Sequence, residues 1–228
     1  MIVSIHQPNY LPYLGYFDKI SKCDLFILYD TAFFVKEMFY NRNKVKTNQG
    51  EKWLTVPVYY KLQEQQQIRD IQIENKRNWK KKHWQTITQN YSKSAFFTEI
   101  CDLLSPFYQE ESFLLSDFTV NIITAICSYL EIKTKIILAS SIPTKSNLDR
   151  TQKLLNICLE LGATTYLSGT TGNKYLDELE FSKNNINIEY QNYDHPIYNQ
   201  LHGDFVKYMC VLDVLFNHGK KSKEILVN

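Results

Sequence analysis

The first thirty residues constrain the fold most, because two prolines interrupt them at fixed places: SIHQPNYLPYLGYFDKISKCDLFILYD, from Ser4 to Asp30. Ile2 to Ile5 is short, apolar and rich in β-branched residues, the composition of a buried strand. Pro8 and Pro12 lack a backbone N–H and have a fixed φ, so His6 to Tyr13 is a shaped loop. Leu14, Phe17 and Ile20 then recur at helical spacing, and Leu25 to Tyr29 is a second apolar run that ends in Asp30. Strand, polar loop, helix, strand is the opening unit of an open parallel sheet. Ligands of such sheets sit at the carboxyl ends of the strands, which makes His6, Gln7, Asn9 and Asp30 candidate catalytic residues and Tyr10 a candidate substrate contact. A proline-stiffened turn around a satisfied histidine is the competing, purely structural reading.

Further apolar runs near residues 136–138, 164–167 and 186–190 alternate with helical patterns. Together with 2–5 and 25–29 they predict one α/β domain over residues 1–228, a three-layer fold with a mostly parallel, Rossmann-like sheet. Residues 50–110 are expected to form a β-ribbon and helical insertion, with Lys52 to Val58 pairing Ile68 to Ile73. Helices are expected over Asn78 to Tyr91 and over Phe96 to Tyr129, the latter broken near Pro106. Another follows a cap at Asp149 or Asn147, buries Leu154, Leu155, Cys158 and Leu161, and stops at Gly162. Met209, Leu212, Leu215 and Phe216 mark a closing helix ended by Asn217-His218-Gly219, and the tail beyond reads as frayed or lying on the surface.

Three later stretches offer chemistry. Residues 31–50 are polar and basic, with Lys36, Asn41, Arg42 and Asn43 able to hold an anion. His83 and Trp84 are adjacent; an indole face receives sugars, whereas a histidine at a helix edge can simply pack, and Lys80 to Lys82 read as a solvated face. The run TYLSGTTGN places Ser168, Gly169, Thr170, Thr171, Gly172 and Asn173 after a strand, with a helix expected to begin near Asn173. A helix N-terminus behind small residues attracts phosphate, yet the run matches neither the P-loop nor the GxGxxG spacing, and a plain turn explains it too. His195 and Tyr198 lie in a second His-Pro loop after the strand near 186–190.

With 228 residues and 44% hydrophobic content, the chain can bury a large core. A net charge of +2 is too mild for a nucleic-acid partner. No apolar stretch approaches the roughly 20 residues that cross a bilayer, so a cytoplasmic protein without membrane insertion is expected. The five cysteines are scattered and form no CxxC pair, which fits a reducing compartment. The histidines never occur as HxH or HExxH, so no metal site is expected, and no GxSxG elbow marks a serine hydrolase. Sixteen tyrosines suit a pocket that stacks sugars or bases.

HQPNYLPYLGYFDKI, followed by DLFILYD, FVKEMFYNRNKVKTNQGEKWLTVPV, TYLSG and DVLFNHG, resembles the WbqC-like family of bacterial proteins nearly end to end. The resemblance implies a part in building surface polysaccharides such as the O-antigen of lipopolysaccharide. In that context the residues suit an acyl or aminoacyl transferase acting on the amino group of a nucleotide-linked amino sugar. His6 or His195 would take the proton, Gln7, Asn9 and Asn41 would donate to the oxyanion, and the SGTTGN loop with Arg42 and Lys36 would hold the diphosphate. No cofactor is required; the acyl donor would be a carrier-protein or coenzyme A thioester, with an acyl carrier protein as a possible partner. Two alternatives stay open: a nucleotidyltransferase-like enzyme using a nucleoside triphosphate, and a non-catalytic sugar-nucleotide-binding protein.

Overall fold

A computed structural model describes residues 1–61, 64–144 and 148–226. The chain opens with β1 (Ile2–His6), α1 (Leu14–Ser21) and β2 (Leu25–Leu28), then β3 (Arg42–Thr47), β4 (Gly50–Thr55), β5 (Val58–Tyr59) and β6 (Gln72–Ile73). Helices α2 (Trp79–Tyr91), α3 (Phe97–Gln109) and α4 (Leu115–Tyr129) follow, and β7 (Lys135–Leu138), α5 (Arg150–Glu160), β8 (Thr165–Ser168), α6 (Glu178–Lys183) and β9 (Asn187–Tyr190) complete the sheet. The chain closes with α7 (Leu212–His218) and α8 (Ser222–Leu226).

The main sheet has the order β7-β2-β1-β8-β9, and all its pairings are parallel. Its strands are short apolar runs because both faces are covered. Val3, Ile5, Leu25, Ile27 and Tyr166 face α5 and α6, whereas Phe26, Leu28 and Leu167 face a larger core built from α1, α2, α3, α4 and α7. That alternation gives three layers, and each Phe or Leu it buries fully contributes ~1.5–3 kcal/mol. From β1 the chain builds outward through β2 to β7, then crosses back to β8 on the other side of β1. The reversal opens a crevice at the carboxyl ends of β1 and β8, the usual ligand position in such sheets.

Several local expectations are corrected. The long hairpin is β3–β4, paired from Arg42↔Thr55 to Thr47↔Gly50, while Val58–Tyr59 and Gln72–Ile73 pair over two residues only. Pro57 falls between β4 and β5, where the ladder stops, and Ile68–Asp70 is a single tight turn. Helix α3 runs through Pro106 to Gln109, and the break comes after it, before Leu115. Asp149 caps α5 in a reciprocal capping box with Gln152; Asn147 lies outside the described residues. The tail is α8, whose Leu226 is buried, rather than a frayed end. No helix among the described residues is long and apolar enough to cross a membrane.

Candidate active site

The loop after β1 is held from three sides. Tyr16 donates its hydroxyl to the Gln7 carbonyl at 3.0 Å, and the buried Asn43 amide donates to the carbonyls of Leu11 at 2.7 Å and Tyr10 at 3.3 Å. The Val211 N–H donates to Pro12 O at 2.8 Å, and the Tyr10 N–H donates to Phe39 O at 2.9 Å. Leu11 is thereby fixed at φ +45°, a conformation unfavourable for a branched side chain, which its complete burial sustains.

Beside this loop lies a cavity of about 630 Å³ at the carboxyl ends of β1 and β8. His6, Gln7, Asn9 and Tyr13 form one wall, Tyr29 with Met38, Phe39, Tyr40 and Asn43 a second, and Tyr166, Gly169, Thr171 and Tyr175 a third. Ile5, Lys19, Arg150, Leu154 and Tyr208 complete it. Among the described residues the lining holds two basic side chains, Lys19 and Arg150, and no carboxylate. Its size falls in the ~300–1,000 Å³ range of small-molecule sites, and its tyrosines offer flat faces with polar tips.

Individual groups are poised differently. The His6 ring nitrogen Nδ1 lies 3.1 Å from Gln7 O, so it carries the proton and leaves Nε2 as an acceptor. Burial, with the Lys19 charge nearby, pushes the His6 pKa down to about 3, and the imidazole is neutral at physiological pH. Lys19 is 2% exposed, and burial lowers its pKa to about 7. Its ammonium donates to Ile5 O at 3.3 Å. Arg150 lays its guanidinium 3.4 Å above the Tyr175 ring, a stack that leaves the N–H edge available. The Asn9 side-chain oxygen is buried with no hydrogen-bond partner among the described residues. Gly169 has open space where a side chain would project, whereas a Cβ at Gly172 would strike the Ser168 hydroxyl at 2.0 Å.

The structure thus brings together His6, Gln7, Asn9, Asn43, Gly169 and Thr171 at one cavity, and places the other sequence candidates elsewhere. Asp30 is buried and accepts from the Ser140 N–H at 2.9 Å, tying β2 to the turn after β7. Asn41 donates to Val56 O at 2.9 Å, Arg42 stacks on Trp53 at 4.5 Å, and Lys36 is exposed. Tyr10, His83 and Trp84 belong to the helical core: the Tyr10 hydroxyl lies 2.9 Å from His83 Nδ1 and 2.7 Å from the Tyr108 hydroxyl, and Trp84 packs on Tyr108. His195 and Tyr198 pack together behind Tyr208, with His195 Nδ1 on Pro196 O at 2.9 Å. Ser168 is buried beneath the turn, and Thr170 and Asn173 are exposed outside the cavity lining. No helix begins at Asn173: Gly172–Lys174 is a single tight turn, and α6 starts at Glu178 behind the Asp177 cap. Lys19 and Arg150 escaped the sequence reading, since one reads as a solvated helix position and the other as the first residue after a cap. Among the described residues no three His, Cys, Asp or Glu side chains gather as a metal site would require.

A parallel sheet with its cavity at the strand-order reversal defines an α/β protein with a candidate ligand site. The chain belongs to the WbqC-like protein family, whose model matches residues 7–225. It is 41% identical over 226 residues to the uncharacterized protein Rv1507c of Mycobacterium tuberculosis, covering 98% of this chain and 96% of that protein. No solved structure matches it.

Proposed function

We propose that the chain is an acyl or aminoacyl transferase that modifies the amino group of a nucleotide-linked sugar, in the assembly of bacterial surface polysaccharide. One observation carries the reading: a tyrosine-walled cavity at the carboxyl ends of β1 and β8 holds the permanent cation Arg150 and, among the described residues, no carboxylate. A cavity of that charge favours an anionic ligand, and flat phenol faces favour a base or sugar ring. Arg150 takes the role first given to Lys36 and Arg42, because a stacked guanidinium presents a fixed fork of donors to phosphate oxygens. Gly169, with nothing within 4 Å of its missing side chain, lets that phosphate approach the backbone.

Transfer joins the sugar nitrogen to the acyl carbon and breaks the bond from that carbon to the donor's sulfur. Positioning the two substrates supplies much of the acceleration, and the Asn9 and Gln7 amides can donate to the oxyanion that develops on the acyl oxygen. His6, neutral with one nitrogen engaged, acts as a hydrogen-bond acceptor for substrate rather than as the proton sink.

The test is to incubate purified protein with nucleotide-linked amino sugars and acetyl, aminoacyl or carrier-bound thioesters, and to follow products by mass spectrometry. An acylated sugar nucleotide and one equivalent of free thiol are expected. Pyrophosphate release from a nucleoside triphosphate would replace this reading with the nucleotidyltransferase one, and saturable binding without product would replace it with a binding protein.

A further inference from the structure

Lys19 is an unusual neighbour for His6. Its helix position would ordinarily be solvated, yet it is 2% exposed and its side chain lines the cavity. An ammonium carries three donors, and among the described residues this one has a single acceptor, Ile5 O at 3.3 Å. No ion pair to it is found among the described residues: its helix neighbour Asp18 is engaged by Lys22 at 2.7 Å and by the Gln191 amide at 2.7 Å. From β1 comes the neutral His6; beyond α1 comes Cys23, whose thiol burial pushes up to about 12; from β2 comes the Phe26 ring, 5.8 Å away. Across the cavity stand the phenols and the permanent cation Arg150. The amine therefore has a lone pair or unused donors at the cavity wall.

We propose that Lys19 is the catalytic base of the cavity: its neutral amine accepts the proton released by the acceptor sugar's nitrogen as that nitrogen attacks the acyl carbonyl. The assignment rests on the transferase reading above. The proton passes from the sugar nitrogen to Lys19 Nζ, and from there to the departing thiolate, so that the enzyme ends each turnover as it began. Burial, which lowers the Lys19 pKa to about 7, makes a neutral amine accessible near neutral pH, whereas His6, held down to about 3, is the weaker base.

The assignment is tested by two measurements on the intact chain. In the first, folded protein is labelled with trace acetic anhydride between pH 5.5 and 10, and each lysine is quantified by peptide mass spectrometry. Lys19 is expected to react with a midpoint near 7, against about 10.4 for surface lysines, and a bound nucleotide-linked amino sugar is expected to protect it. In the second, Lys19→Met is expected to lose about 100-fold or more in turnover while sugar-nucleotide affinity stays within about threefold. Small alkylamines are expected to restore part of the turnover in Lys19→Ala. Failure of Lys19 to label, a midpoint near 10, or wild-type turnover in Lys19→Met overturns the base and leaves the transferase reading intact. A wild-type protein that turns over no thioester and amino-sugar pair overturns the transferase reading, and the base with it.

Discussion

Asn9 and Tyr10 are neighbours in one loop and have opposite surroundings. Tyr10 points into the helical core, where its hydroxyl meets both His83 and Tyr108 and its ring stacks on Phe118. Asn9 lines the cavity, where its side-chain oxygen is buried without a partner among the described residues; Lys19, also buried, has one acceptor there, and the exposed Arg150 stacks on Tyr175. Both regions bury polar groups. Only the first satisfies them internally, and leaving a buried polar group unpaired costs ~1–3 kcal/mol. The contrast separates architecture from site at this loop: Tyr10 is satisfied by the fold, whereas Asn9 has an acceptor left over at the cavity wall. His83 and Trp84 fall on the architectural side of this contrast, His83 engaged with Tyr10 and Trp84 packed on Tyr108.

The sharpest way to break this comparison is Lys19→Met. The variant is expected to be inactive yet more stable than the wild type, by on the order of 2–4 kcal/mol at pH 7, as read by chemical denaturation. The sign follows from linkage. Unfolded, the lysine holds its proton up to about 10.4; folded, it releases it near 7, so stability contributed by this group is full above about 10.4 and falls as pH drops to 7. Below 7 it has no further slope. A destabilised Lys19→Met would place Lys19 with the internally satisfied groups.

His83→Ala is the converse experiment. It removes a buried hydrogen bond and packing against Trp79, and is expected to destabilise by ~2–3 kcal/mol while leaving ligand affinity unchanged. The buried histidines also set an acid limit. His6 and His83, held down to about 3 and about 4 by desolvation, stay neutral in the fold while the unfolded chain protonates them near 6.5. Stability is therefore expected to fall as pH drops from about 6.5 toward 4, by up to ~1.4 kcal/mol per pH unit for each. Denaturation curves of His83→Phe should show about half that slope. The smallest effect is expected from Asn9→Ala, which should cost about tenfold in kcat/KM with little change in denaturation midpoint. A large stability loss there would mean that Asn9 is satisfied by the fold after all.

Much of the architecture was legible because the central parallel strands advertise themselves as apolar runs and the edge strand β9 as an alternating one. IVSI, LFILY, IIL, TTYL and INIEY correspond to β1, β2, β7, β8 and β9. The β3–β4 hairpin was hidden for the opposite reason. Arg42, Lys44 and Lys46 give β3 the look of a basic loop, yet Asn43 and Val45 face inward, and Lys46 is itself buried, donating to Gln200 at 2.9 Å. The cavity was half legible. His6, Gln7 and Asn9 follow a strand next to prolines, a local signal that points to a strand end. Lys19 and Arg150 carry no such signal, since their place depends on how α1 and α5 pack against β1 and β8, a three-dimensional fact with no spacing of its own. The SGTTGN loop misled in the other direction: small residues there serve the close packing of Gly172 on Ser168, and the helix they seemed to introduce starts four residues beyond the tight turn.

The central claim, that the unsatisfied cavity is completed by an anionic sugar nucleotide, is tested most directly by calorimetric titration of the wild type and Arg150→Gln. The ligands are a nucleoside-diphosphate amino sugar and the corresponding uncharged nucleoside. Saturable binding of the diphosphate to the wild type is expected, weakened about tenfold or more in Arg150→Gln, with the nucleoside binding feebly to both. Equal affinity of the two proteins for the diphosphate would contradict the account.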